Sequence, residues 1–231
     1  MQKIGTIHSG FKEKFGIPRQ SGLMDNMSEI TFEPAFDDEN AFRGLETFSH
    51  IWLLWEFSEN AGEWRPTVRP PKLGGNKRMG VFATRSPFHP NTIGLSCVAL
   101  VECAKRNGHM VLTVQGADLM DGTPILDIKP YLPYSDSFPS ASMGWTADIR
   151  VQKNPVRISE SCEVPKEISD KMLEEIKSAI SLDPRPGYHD DAGRSYGMLY
   201  GDYNVEFRAN KCCESVEMLI LKIIKKSENN A

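Results

Sequence analysis

From residue 1 to about residue 135, apolar positions come in short runs rich in β-branched and aromatic residues, each bounded by Gly, Pro or Asn. The predicted strands are Ile4–His8, Glu29–Phe32, Phe48–Phe57, Gly80–Ala83, Leu95–Glu102, Met110–Gln115 and Ile125–Tyr131. A helical turn or two is expected over Asp37–Phe42, with Asp37 as its cap. Many short strands separated by turn signals predict a closed or nearly closed β-barrel, because closure removes exposed edges.

The stretch from Pro133 to Glu163 is irregular, with Pro139, Pro155 and a Ser-rich SFPSASMGW piece, so a boundary falls there. The expected organisation is a β-barrel over 1–138, a linker over 139–164 and a small α+β domain over 165–231, making the chain mainly β. In the last unit Ile168, Met172, Leu173, Ile176 and Ile180 recur at helical spacing, which predicts a helix over Pro165–Ser181 ended by Asp183 and Pro184. Beyond it, Met198–Arg208 and Glu214–Lys225 alternate like a pair of antiparallel strands. No run approaches the roughly 18 apolar residues that span a bilayer. The opening MQKIGTIHSG lacks a charged segment followed by an apolar one. A soluble, cytoplasmic protein with no membrane partner is expected.

Composition is that of an ordinary globular protein: 231 residues, 40% hydrophobic, 25% charged, net charge −4. Against that acidic balance, Arg65–Ser96 holds Arg65, Arg69, Lys72, Lys77, Arg78 and Arg85 without one Asp or Glu. A solvated face interleaves both signs, whereas a one-sign run studded with Gly, Pro, Asn and Ser builds loops that hold an anion. The expected partner is a nucleic acid or an anionic small ligand. Cys97, Cys103, Cys162, Cys212 and Cys213 show no ligand spacing, and the five histidines form no HxxxH pair, so neither zinc nor any other metal is indicated.

Four segments carry polar residues that a structural role alone does not require. In FKEKFGIPRQSG, Pro18 keeps the residue before it extended, while Arg19 and Gln20 offer donors. In ETFSHIWLLWEFSE, Trp52 and Trp55 read as core, and only Ser58 and Glu59 at the exit face a ligand. The basic stretch presents LGGNKR backbone amides and a loop with Arg85, Ser86, His89 and Asn91, and arginine pairs bidentately with carboxylate or phosphate. In GADLMDGTPILDIKPY, Asp118, Asp121 and Asp127 flank a DGT turn. Neither a Walker A motif nor a GxGxxG is present, so no P-loop or Rossmann cofactor site is indicated. The residues alone describe an anion-binding β protein.

The stretches FKEKFGIPRQSGL, RGLETFSHIWLLWEF, WRPTVRPPKLGGNKRMGVFATRSPFHPNTIGLS and DLMDGTPILDIKPYLPY, and near the end DPRPGYH with DYNVEF, resemble the TsaA-like (TrmO) family of bacterial tRNA methyltransferases over nearly the whole chain. The resemblance implies a non-Rossmann β-barrel homodimer that uses S-adenosyl-L-methionine. Its implied reaction is methylation of N6 of threonylcarbamoylated adenosine, 3′ of the anticodon, in threonine tRNA. It further implies cofactor contacts from Pro18, Arg19 and Gln20, from Ser58 and Glu59, from Arg85 and Leu95, and from the turn Asp121, Gly122, Thr123 and Pro124. Ser58 departs from the family, whose members commonly carry His there.

For the chemistry, Asp121 and Asp118 are the candidate proton acceptors, because a urea-like nitrogen is a poor nucleophile until its proton leaves. Arg69, Lys72, Lys77 and Arg78 are the expected phosphate contacts. Arg185, His189, Arg194 and Tyr196 form a loop cluster that either grips the anticodon region or caps the barrel. The alternative to an enzyme is a non-catalytic RNA- or cofactor-binding regulator of the same fold.

Overall fold

The computed structural model describes residues 1–60, 64–73, 77–149, 151–186, 193–212 and 215–226, and of residues 72, 211, 212 and 215 the backbone alone. Residues 74–76 of the LGGNKR segment, His189 and Cys213 lie outside the described residues.

Alternation along the strands builds the first unit. The elements are β1 (Gly5–His8), β2 (Met27–Phe32), β3 (His50–Glu56), β4 (Thr67–Val68), β5 (Met79–Gly80), β6 (Ile93–Arg106), β7 (His109–Gln115) and β8 (Pro124–Pro130). Six of them close into a barrel in the order β1-β2-β7-β6-β3-β8, all neighbours antiparallel, while β4 and β5 pair as a separate ribbon. On β3, Ile51, Leu53 and Trp55 point inward and are buried, whereas Trp52 and Leu54 between them are half-buried. Ile7, Ile30, Val98, Leu112, Val114 and Ile125 complete the inner packing. Trp52, expected in the core, lies on the outer face. Its ring nitrogen donates to Asp136 Oδ2 at 3.0 Å in the one-turn helix α1 (Pro133–Asp136).

Two local expectations are corrected. Of the Gly80–Ala83 run only Gly80, the end of β5, is strand, and Val81–Ala83 turns as a 3-10 helix because Thr84 N–H and Oγ1 both donate to Val81 O. The 3-10 turn Glu39–Phe42 is capped by Asp38, not Asp37. Asp37 instead accepts from Met110 N at 2.7 Å and pairs with His109 Nδ1 at 2.6 Å, which holds its carboxyl below the usual range.

The second unit is a sheet in the order β10-β11-β12-β9, formed by β9 (Val156–Ile158), β10 (Ser195–Tyr200), β11 (Tyr203–Cys212) and β12 (Ser215–Lys225). β9, within the stretch expected to be linker, runs parallel to β12. The run Met198–Arg208 is not one strand but the end of β10, a turn at Gly201 (φ 55) and most of β11. Helix α2 (Asp170–Ser181) packs Ile176, Ala179 and Ile180 into this unit's core. It starts later than Pro165 because Ser169 is its N-cap, accepting from Met172 N. Phe11 and Met24, from the loop between β1 and β2, are buried in this second core.

Candidate active site

A cleft of about 420 Å³ opens at one end of the barrel, within the ordinary range for a small-molecule site, roughly 300–1,000 Å³. Three loops and the start of a strand bound it. The β1–β2 loop contributes Pro18, Arg19 and Gln20; the 3-10 turn after β3 contributes Ser58 and Glu59; the ATRS loop contributes Arg85; the start of β6 contributes Leu95. Arg85 Nη1 donates to Gln20 Oε1 at 2.6 Å, tying two of these loops together. Lys14 Nζ lies 3.3 Å from Glu59 O and 3.4 Å from Asn60 Oδ1, tying a third.

The floor is set by Gly94. A Cβ at that position would overlap the Trp55 ring, so only glycine lets the indole lie flat against β6. Trp55 Nε1 then donates to Ser96 Oγ at 3.0 Å, and Ser96 Oγ donates to Asp118 Oδ1 at 2.6 Å. Asp118 sits between Ala117 and Leu119, which are buried, on a segment held by Asn26 Nδ2 to Ala117 O and Ser9 Oγ to Leu119 O. Burial raises the Asp118 carboxyl above its ordinary value, against the opposing influence of the Ser96 hydrogen bond and the charge of Arg85.

The structure separates the two candidate acids of the GADLMDGT segment. Asp118 lines the cleft; Asp121 does not. Asp121 accepts from Ser9 N at 3.0 Å and from Lys12 Nζ at 2.7 Å. Of the turn that follows, Thr123 lines the cleft and is buried, whereas Gly122 is exposed and Pro124 begins β8.

Arg19, Gln20 and Arg85 are shared with a larger groove of about 1,330 Å³. Arg65, Arg69 and Arg78 line it as well, and among the described residues no Asp or Glu does. Phe82 is 77% exposed there, and Trp145 Nε1 donates to Ala83 O at 2.7 Å, pinning the linker segment over the ATRS loop. Arg65 lies over the Phe88 ring at 4.4 Å. Lys77 is exposed but does not line the groove, and the side chain of Lys72 is outside the description.

In the C-terminal unit, Arg185 is buried and pairs with Asp183 through Nε at 2.7 Å and Nη2 at 2.8 Å. Arg194 is exposed, with its guanidinium 5.4 Å from the Tyr196 ring centroid. Sequence reasoning missed Ser96, Gly94 and Trp145. A lone Trp in a Ser- and Pro-rich stretch was the available signal for the last; nothing in spacing marks the other two.

The sequence profile of the tRNA-methyltransferase O N-terminal domain matches residues 6–137, and that of the TrmO C-terminal domain matches 148–223. The chain is 42% identical over 217 residues to the tRNA (adenine(37)-N6)-methyltransferase of Escherichia coli (strain K12), covering 90% of this chain and 92% of that relative. It is 44% identical over 178 residues to the enzyme of the same description from Eikenella corrodens, covering 75% and 98%. The crystal structure of TrmO from Pseudomonas aeruginosa superposes with a TM-score of 0.74 at 32% identity, covering 96% of each chain. By profile, identity and fold, the chain belongs to the tRNA-methyltransferase O family.

Proposed function

We propose that the protein transfers a methyl group from S-adenosyl-L-methionine to N6 of N6-threonylcarbamoyladenosine 37 of threonine tRNA, as a cytoplasmic homodimer. The observation that carries this is the junction of two hollows: a small cleft with a carboxylate of raised pKa on its floor opens directly into a groove lined by arginines.

The cleft's donor set suits the cofactor. Arg85, fixed by Gln20, pairs with an α-carboxylate, and the exposed apolar faces of Ile93 and Leu95 receive a planar base. Glu59, Ser58 and Pro18 bound the same space. When bound, S-adenosylmethionine supplies an electrophilic methyl on a sulfonium. The protein's part is alignment and exclusion of water, and Asp118 takes the proton that leaves N6 as the new carbon–nitrogen bond forms.

In the groove, Arg65, Arg69 and Arg78 meet phosphates of the anticodon loop, and Phe82 offers a face on which an unpaired base stacks. Arg194, exposed beside the Tyr196 ring, is a further phosphate contact from the C-terminal unit, while Arg185 serves the fold of that unit. The homodimer is supported by apolar side chains exposed outside the cleft, Val101 of β6 at 52%, with Tyr134 and Phe138 beyond β8. No helix among the described residues is long and apolar enough to cross a membrane.

Incubation with methyl-labelled cofactor and total tRNA, followed by nuclease mapping, tests the assignment. Label confined to anticodon-loop fragments supports it; label elsewhere in the tRNA, or none, contradicts it.

A further inference from the structure

The loop that brings Pro18, Arg19 and Gln20 to the cleft leaves the barrel after β1 and returns at β2, yet it contributes no residue to the barrel core. Its apolar side chains are spent on the other unit. Phe11 and Met24 are buried in the C-terminal core, Phe15 and Ile17 pack against it, and the Phe11 and Tyr200 rings meet edge to face at 5.1 Å.

The polar contacts follow a pattern. β10 is an edge strand, and an edge leaves alternate N–H groups without a ladder partner. Gly201 N donates to Gly10 O at 2.7 Å, and two residues earlier Leu199 N donates to Glu13 Oε1 at 2.9 Å. The Glu13 carboxylate thus stands where the carbonyl of a further strand would be. Gly16, two residues before Pro18, holds φ +95 and rests against Met198 of β10, where a Cβ would overlap the thioether. At the return, Glu175 of α2 accepts from Met27 N at 3.1 Å and from Tyr200 Oη at 2.8 Å. On its opposite side the same loop holds the acid-bearing segment, through Ser9 Oγ to Leu119 O and Asp121 N to Phe11 O.

We propose that the free edge of β10 is the template that shapes the cofactor loop, with Glu13 as a positioning residue, so that cofactor binding and the docking of this loop on the C-terminal sheet are linked. The inference rests on the cleft being the cofactor site. It makes the C-terminal unit part of the cofactor site's construction, whatever surface it offers to RNA. Linkage is reciprocal: what tightens the loop on β10 tightens cofactor binding, and bound cofactor tightens the dock.

The test is amide hydrogen exchange on the full chain with and without S-adenosylhomocysteine, together with its affinity for Glu13→Ala and Glu13→Gln. The expected result is slower exchange not only at Arg19, Gln20 and Arg85 in the cleft but also at Leu199 and Gly201, which lie outside it. Glu13→Ala is expected to bind about tenfold more weakly, and Glu13→Gln, which keeps a carbonyl oxygen, within about twofold of the parent. Protection of the cleft with Leu199 and Gly201 unchanged, and equal affinity for Glu13→Ala, would overturn the linkage alone. No protection at Arg19, Gln20 and Arg85 would overturn the cofactor assignment of the cleft and the linkage with it.

Discussion

Ser96 Oγ donates a 2.6 Å hydrogen bond to Asp118 Oδ1 at the floor of the cleft. Because that hydroxyl also accepts from Trp55 Nε1, its proton is committed to the carboxylate. The bond favours ionised Asp118 while burial disfavours it, and burial is the larger effect. Asp118 is thereby a stronger base than an exposed carboxylate, which suits the proposed role of proton acceptor.

Asp118→Asn separates catalysis from stability. Methyl transfer is expected to fall by about 100-fold or more, the usual worth of a general base. Stability moves the other way. With the folded-state pKa raised, the native protein holds the proton more tightly than the unfolded chain between about pH 3.9 and the raised value, so stability falls as pH rises through that window. The loss persists above it. The Asn variant escapes this loss, and thermal melts at neutral pH should show it no less stable than the parent.

Ser96→Ala removes the donor that opposes burial. The acid limb of the pH–rate profile is expected to move to higher pH, and folding stability to drop by about 1–2 kcal/mol as the buried Trp55 N–H loses its acceptor. An unmoved limb would show that Asp118 is not the titrating group.

Arginines in the groove and in the C-terminal unit should behave differently. Arg69→Ala and Arg78→Ala are expected to weaken tRNA binding and each to reduce the slope of log affinity against log salt by about one. Arg185→Ala should leave that slope unchanged and instead lower stability by about 2–3 kcal/mol, since it breaks a bidentate pair with Asp183. Filter binding across a salt series and denaturant melts distinguish the two.

Gly94→Ala places a methyl where the Trp55 ring lies. Displacing the indole is expected to cost about 1–3 kcal/mol of stability and to weaken cofactor binding, measured by calorimetry.

The barrel was legible in the sequence because strands such as Ile51-Trp52-Leu53-Leu54-Trp55 alternate about a core, and a period of two survives without knowledge of neighbours. The edges of the C-terminal sheet were not. β9 has three residues, too few to show a period, and Gly201 breaks an apolar run that reads as continuous. At the site, the segments were legible but their division of labour was not. Asp118 and Asp121 stand three residues apart in one turn-rich motif, and only the fold sends the first to the cleft and the second to Lys12. Arg185 and Arg194 look alike in a loop rich in Pro, Gly and Asp; burial against Asp183 separates them. Glu13 carried no signal, because its partner is a backbone amide of a strand 186 residues away.

The central claim is tested most directly by supplying purified threonine tRNA, with and without its threonylcarbamoyl group, together with labelled S-adenosylmethionine, and identifying the product by nucleoside mass analysis. The account predicts one methyl on N6 of the threonylcarbamoylated adenosine and none on the unmodified tRNA. Equal labelling of both tRNAs, or no labelling while the cofactor demonstrably binds, would contradict it.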